Sequence, residues 1–245
     1  MIEKITDFGS LSGVSSPLLP LIFADGFCSR NEYDGAFLQK AESGELQAVF
    51  SLKNTCITLL FVNDDGAEEL GDFFSFCGVT EILSDKPVTH FCNNQKELNF
   101  FEFLGEFADD YNCQTLTPKS IISEYRDVYN VVSEQGNNFE NWFPEFSKKI
   151  NSSNAFATYL KVNENTVSVA ISPAVYENTA IIAGVFTLND YRNKGYASKC
   201  VKSLVSEMKR NNISKIYLWC EDKNIQFYNN LNFKYIEKIY FGECN

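Results

Sequence analysis

The stretch Thr187-Leu-Asn-Asp-Tyr-Arg-Asn-Lys-Gly-Tyr-Ala-Ser198 constrains the fold more than any other part of this chain. It joins an apolar run at residues 180–188 to an amphipathic run at 197–208, the signature of a buried strand turning into a helix. In the helix, Ala197, Cys200, Val201, Leu204, Val205 and Met208 follow the spacing of one buried face. Lys199, Lys202, Ser206, Lys209 and Arg210 fall on the opposite, solvent-facing side, and Asn211-Asn212 can supply the left-handed residue that ends the helix. A strand that turns through Arg192-x-x-Gly195-x-Ala197 into a helix offers successive backbone N–H groups to an anion. Gly195 permits a close backbone approach, Ala197 keeps the first turn slim, and Arg192 and Lys194 add positive charge. The expected guest is a pyrophosphate.

Two common pyrophosphate loops are excluded, because neither G-x-G-x-x-G nor G-x-x-x-x-G-K-[ST] occurs at this place. The pattern R-x-x-G-x-[GA] after a strand ending in Thr187-Leu188 instead resembles motif A of the GNAT superfamily, the Gcn5-related N-acetyltransferases. A second feature follows in order. After the helix comes an apolar strand at 215–220. Then Asn224-Ile-Gln-Phe-Tyr228 and Leu231-Asn-Phe233 resemble the family's A-x-x-L-Y-x-x-L-G-F segment.

The remaining sequence fits a two-part enzyme. Its 245 residues suffice for one large or two small domains. There is no apolar run of about 18 residues, so no membrane span is expected, and the acidic start (Glu3, Asp7) does not read as a signal peptide. The eight cysteines include no C-x-x-C pair, and several sit in apolar runs, so they read as reduced thiols of a cytoplasmic protein. His90-x-Cys92 is the only hint of a metal, and two ligands make a poor site, so no metal is expected. Charge is unevenly spread. Residues 1–114 carry 6 Lys+Arg against 19 Asp+Glu, a net −13, whereas residues 115–245 carry 15 against 13, a net +2. This divides the chain into an acidic domain, 1–114, and a near-neutral one, 115–245, with 105–117 as linker.

In the first domain, residues 46–52 and 56–62 read as strands joined by a turn at Lys53-Asn54, residues 66–76 as a helix and 79–83 as a strand. Further strands are expected at 88–92 and 100–103. The second domain opens with helices at 118–132, where Pro118 suits the first helical position, and at 138–150. Strands at 155–162, 166–172 and 179–188 form an antiparallel meander, and 235–241 closes the sheet. This order is what the resemblance implies over 115–245: an α/β (α+β) fold with a mixed, mostly antiparallel sheet flanked by helices. The first domain is similar to the degenerate N-terminal GNAT-like domain of some bacterial two-domain acetyltransferases, which implies a tandem of a degenerate and an active copy.

The resemblance also implies chemistry. Acetyl-CoA is the expected cosubstrate, with Phe186, Thr187 and Leu188 holding the pantetheine arm and Arg192, Asn193, Lys194, Gly195, Tyr196 and Ala197 binding pyrophosphate. Tyr228 matches the family's tyrosine, the proton donor to the departing CoA sulfur; its plainer reading is an aromatic core residue. The family often has an asparagine seven residues before this tyrosine. Here that residue is Glu221, with Asn224 the nearby substitute on a different register. The family's glycine before the final aromatic is Asn232, which can still adopt a left-handed turn. No carboxylate lies within 179–188, leaving Glu177, Glu221 and Asp222 as candidate bases.

The implied activity is acetyl transfer from acetyl-CoA to a primary amine of a small molecule or peptide, with a cationic acceptor favoured by the acidic first domain. No nucleic acid or membrane partner is expected, and the assembly is a monomer containing a pseudo-dimer, or a homodimer. The alternative is a catalytically weak CoA-binding sensor or scaffold. A third reading, an aminoacyl transferase using charged tRNA, is opposed by the acidic first domain.

Overall fold

Short apolar strands joined by tight turns form the framework of the fold, and helices pack on them. The computed structural model describes residues 1–244 apart from 12, 29–33, 62, 64, 108–110 and 134–137. They group into two compact units, residues 1–101 with 219–225 and 235–245, and residues 102–218 with 226–234.

The first unit begins with β1 (Ile2–Lys4), α1 (Leu19–Phe27), β2 (Gly35–Lys40), β3 (Leu46–Lys53) and β4 (Cys56–Phe61). Strands β1 to β4 pair antiparallel in sequence order. Asn54, with φ of 57°, supplies the left-handed residue of the β3–β4 hairpin. The expected end of β4 at Val62 lies outside the described residues. Helix α2 (Ala67–Phe76) then leads to β5 (Glu81–Ser84), which runs parallel to β4. Phe50, Leu59, Leu70, Phe74 and Ile82 meet between strands and helix. Each such fully buried side chain contributes about 1.5–3 kcal/mol.

Two expectations for this region are corrected. Residues 88–92 form a turn rather than a strand. Pro87 cannot donate to a ladder, and the N–H groups of Phe91 and Cys92 both close back onto the Val88 carbonyl, at 2.9 and 3.0 Å. The eight cysteines are not all free, because Cys92 and Cys244 form a disulfide across 152 residues. After β6 (Asn94–Phe103) the chain enters the second unit.

The second unit contains β7 (Gln114–Thr115), α3 (Ile122–Val132), α4 (Phe139–Asn151), β8 (Phe156–Val162), β9 (Asn165–Ser172), β10 (Ala174–Tyr176), β11 (Thr179–Ile182) and β12 (Gly184–Thr187). Then follow α5 (Tyr196–Arg210), β13 (Lys215–Cys220), α6 (Ile225–Asn229) and β14 (Phe233–Glu243). Helix α3 starts four residues later than Pro118 suggests. Residues 117–120 form a turn of their own, and Glu124 reaches back to accept from the Ile121 N–H at 2.8 Å. Helix α4 is one helix, entered through the Asn138 side chain, which accepts from the Glu140 N–H at 2.9 Å. Strands β8 and β9 form the expected hairpin, with Asn163 and Glu164 both left-handed.

The strand expected at 179–188 is broken in two. The Ala183 N–H donates to the Ile171 carbonyl at 3.2 Å, although Gly184 is registered opposite Ile171. Two residues thus face one, a β-bulge that re-aims the strand. Before the bulge, β11 pairs parallel with β13 as far as Ile182 and Leu218. After it, β12 pairs antiparallel with β9 and forms an edge of the sheet β12-β9-β8-β7.

Strand β14 departs from expectation in its partner. From Tyr235 onward its residues belong to the first unit, where Tyr240–Glu243 pair antiparallel with β5. No described helix is long and apolar enough to cross a membrane.

Candidate functional site

The loop between β12 and α5 is shaped by two left-handed residues, Asn193 with φ of 60° and Gly195 with φ of 77°. Gly195 is the last residue before the helix, and no side chain caps it. The N–H groups of Tyr196, Ala197 and Ser198 have no intrahelical acceptor by the geometry of a helix start. A methyl group placed on Gly195 would meet nothing within 4 Å, so the cradle is open. Arg192 and Lys194 are both exposed and fold back over the loop. Arg192 Nε donates to the Thr187 carbonyl at 3.0 Å and Lys194 Nζ to the Asp190 carbonyl at 2.9 Å. Each keeps further N–H donors for a guest. Open cradle, uncapped helix and two cations fit a pyrophosphate-sized polyanion.

The loop is held from beneath by α5. Cys200, Val201, Leu204, Val205 and Met208 are buried as the helical pattern predicts. Ser206 is not on the solvent side; it is only 7% exposed.

The edge strand β12 leads into this cradle. The Leu188 N–H donates to the Val167 carbonyl at 3.0 Å, and Phe186 is registered opposite Val169. By alternation along a strand, Phe186 and Leu188 direct their backbone groups to β9, while Val185 and Thr187 direct theirs to the other edge. Among the residues expected to hold an extended arm, Thr187 therefore points outward in its backbone. Val185, not singled out from sequence, joins it. The side chains of Phe186 and Leu188 pack against the core under α3 and α4. Ser168 was also missed. Its buried hydroxyl donates to the Phe186 carbonyl at 3.1 Å and lies 2.8 Å from the Thr187 hydroxyl. A serine amid the apolar run of β9 was the available signal.

Tyr228 lies on α6 in the second unit, partly buried, with its ring 4.9 Å from Phe227 and 5.9 Å from Phe233. Asn232 is left-handed, with φ of 61°. Asn224 belongs to the 219–225 segment of the first unit, where its N–H donates to the Glu221 carbonyl at 2.9 Å.

Among the candidate bases, Glu221 is ill suited to take a proton near neutral pH. The Lys223 ammonium, and then that of Lys96, hold its carboxyl at about 2. Asp222 accepts from the Asn99 amide at 2.7 Å, and Glu177 is exposed at a turn with φ of 52°. Among the described residues, no group of three or more His, Cys, Asp or Glu side chains is placed to hold a metal ion.

The strand, bulge, anion cradle and helix have counterparts in known proteins. The description "Acetyltransferase (GNAT) family" matches residues 119–233. That segment is a GNAT domain. Solved structures extend the likeness beyond it. A GCN5-related N-acetyltransferase from Sphaerobacter thermophilus superposes with a TM-score of 0.60 at 13% identity, over 86% of this chain and 81% of that one. A putative GNAT acetyltransferase from Novosphingobium aromaticivorans gives 0.59 at 14% identity, over 94% and 100%. A tandem GNAT protein from the clavulanic acid biosynthesis pathway gives 0.57 at 7% identity, over 100% and 99%. These likenesses show the fold, a GNAT fold with a tandem GNAT protein among its structural neighbours. A search of curated proteins finds no match.

Proposed function

We propose that the chain is an acetyl-CoA-dependent N-acetyltransferase acting on a primary amine. The observation that carries this reading is the open, left-handed Gly195 cradle at the uncapped start of α5, flanked by Arg192 and Lys194. In this reading the backbone from Asn193 to Ala197 holds the pyrophosphate, with Arg192 and Lys194 as charged clamps. The outward backbone edge of β12, at Val185 and Thr187, holds the extended arm. Acetyl-CoA, when bound, supplies the thioester whose acetyl group is transferred.

Tyr228 is proposed to donate its phenolic proton to the departing thiolate. A phenol titrates at about 10 in water and is therefore protonated at neutral pH. No general base is assigned. With Glu221 held at about 2, the amine would lose its proton to solvent.

The acceptor proposed is a cationic amine, drawn by the net charge of −13 on residues 1–114. A second reading, a CoA-binding sensor or scaffold with weak turnover, is favoured by that same absence of a suitable base. Assaying thiol release from acetyl-CoA across polyamines, aminoglycosides, lysine peptides and neutral amines, at low and high salt, tests both. Turnover that is fastest with polycations and slows with salt supports the proposal. Equal use of neutral amines would overturn the cationic preference. Binding of acetyl-CoA without turnover on any amine favours the sensor.

A further inference from the structure

Two thiols distant in sequence meet in the second unit. Strand β7 pairs with β8 so that Thr115 stands opposite Thr158. The Thr158 hydroxyl donates to the Cys200 carbonyl at 2.8 Å, which sets this face of the sheet against α5. Side chains alternate along a strand, so Cys113, two residues before Thr115, turns to the same face. There its sulfur is hydrogen-bonded to the Cys200 thiol, with the Lys199 ammonium and the Ser203 hydroxyl beside it. The Cys113 thiol donates to the Tyr111 carbonyl at 3.6 Å, and Cys200 also has the Ser168 carbonyl at 3.4 Å. Both cysteines are free thiols.

Their surroundings are unequal. Cys200 is buried, whereas Cys113 is partly open to solvent. The hydrogen bond from Cys200, then the Lys199 ammonium and the Ser203 hydroxyl, hold the Cys113 thiol below its ordinary value despite its partial burial. Contact with Cys113, and then burial, push the Cys200 thiol up. The thiolate is the reactive form, so Cys113 is the nucleophile of the pair. Cys56 provides a contrast within the same chain. It is exposed, but desolvation around its sulfur, and then Glu81, push its thiol up to about 11.

We propose that Cys113 and Cys200 are a redox pair, in which Cys113 is oxidised by a hydroperoxide and Cys200 is the resolving thiol. The Cys113 sulfur attacks the O–O bond and takes one oxygen, becoming a sulfenic acid. The rest of the hydroperoxide leaves as an alcohol, or as water from hydrogen peroxide. The Cys200 sulfur then attacks the sulfenic sulfur, and its thiol proton departs with the hydroxyl as a second water. Two electrons, one from each sulfur, reduce one O–O bond. The disulfide ties the segment entering β7 to α5, the helix that begins after Gly195. A dithiol reverses the change by exchange. Neither cysteine belongs to the 192–197 loop, so the pair does not depend on the proposed cofactor.

The test is oxidation of the reduced full chain with stoichiometric hydrogen peroxide, then alkylation and non-reducing peptide mapping by mass spectrometry. A peptide pair joined through Cys113 and Cys200 should be the main new product and should disappear with dithiothreitol. In Cys200→Ala, Cys113 should instead accumulate as a sulfenic acid captured by dimedone. Cys113→Ser should leave Cys200 unoxidised. Limiting iodoacetamide should label Cys113 at least about tenfold faster than Cys56. A thiol raised to about 11 holds about 100-fold less thiolate than an ordinary one and recovers only about tenfold in nucleophilicity. The proposal is overturned if no Cys113–Cys200 peptide forms, if Cys200 is oxidised as readily in Cys113→Ser, or if Cys56 is labelled as fast as Cys113.

Discussion

Each unit contains a strand, a turn and a helix that returns to a parallel strand, and the two turns have opposite electrostatics. In the second unit the turn before α5 is Arg192-Asn-Lys-Gly195, its glycine is left-handed, and nothing fills the space beside it. In the first unit the turn before α2 ends in Asp65-Gly66 and is followed by Glu68 and Glu69. Gly66 has φ of −105°, and a side chain there would run into the Gln39 amide. Gln39 Nε2 already donates to the Gly66 carbonyl at 3.0 Å and to Glu69 at 2.7 Å. The cavity beside α2, about 870 Å³, is lined by Asp65, Glu68 and Asp72. The positive end of α2 is thus answered from within the protein, whereas that of α5 is left for a guest. No side chain caps either helix start, so the two differ in the space beside the glycine and in the charge around it, Glu68 and Glu69 in the first turn of α2 against Arg192 and Lys194 before α5.

The largest effect should come from the group proposed as the proton donor. Tyr228→Phe is expected to lower turnover by about 100- to 10,000-fold while acetyl-CoA affinity is kept, because only the transition state loses its proton donor. Steady-state rates with any accepted amine check this, and an unchanged rate returns Tyr228 to a packing role beside Phe227 and Phe233.

Next is the open cradle. Acetyl-CoA at about 100 times its dissociation constant should stabilise the wild type by about 2.7 kcal/mol. Gly195→Asp, which sets a carboxylate in the cradle, should remove that gain in thermal unfolding. The matching change in the first unit should behave differently. Gly66→Ala should destabilise the fold by about 1–3 kcal/mol through overpacking against Gln39, and leave the ligand-induced shift intact. A lost shift in that variant would mean that the two turns are not independent.

The smallest effect concerns the internal answer to α2. The Gln39 amide, and then the N-terminal ammonium, hold the Glu69 carboxyl below its ordinary value. Its contribution is full above the ordinary carboxylate value and is lost as pH falls through the lowered one. Because Glu69 is half-exposed, the contribution is about 0.2–1 kcal/mol. Glu69→Gln should therefore be less stable than wild type in urea near neutral pH, with the difference vanishing in strong acid.

The second unit was legible where a local pattern sufficed. The spacing from Cys200 to Met208 foretold the buried face of α5, and Asn211-Asn212 foretold the left-handed residue after it. What escaped depended on partners distant in sequence. Ala183 has no marker of a bulge, since only the registration of Ile171 against both Ala183 and Gly184 creates one. The strand after Tyr235 reads as any strand does, and nothing local says that it pairs with residues 81–84. Cys92 and Cys244 come together through the same long-range register. Ser206 misled because helical periodicity assigns a face without knowing that Phe103 and Phe107 cover part of it.

The central claim is that one of the two turns, and not both, accepts the cofactor. Native mass spectrometry of the full chain titrated with acetyl-CoA counts the occupied sites directly. One acetyl-CoA per chain, lost in Gly195→Asp and retained in Gly66→Ala, is the predicted result; none, or two per chain, would contradict the account.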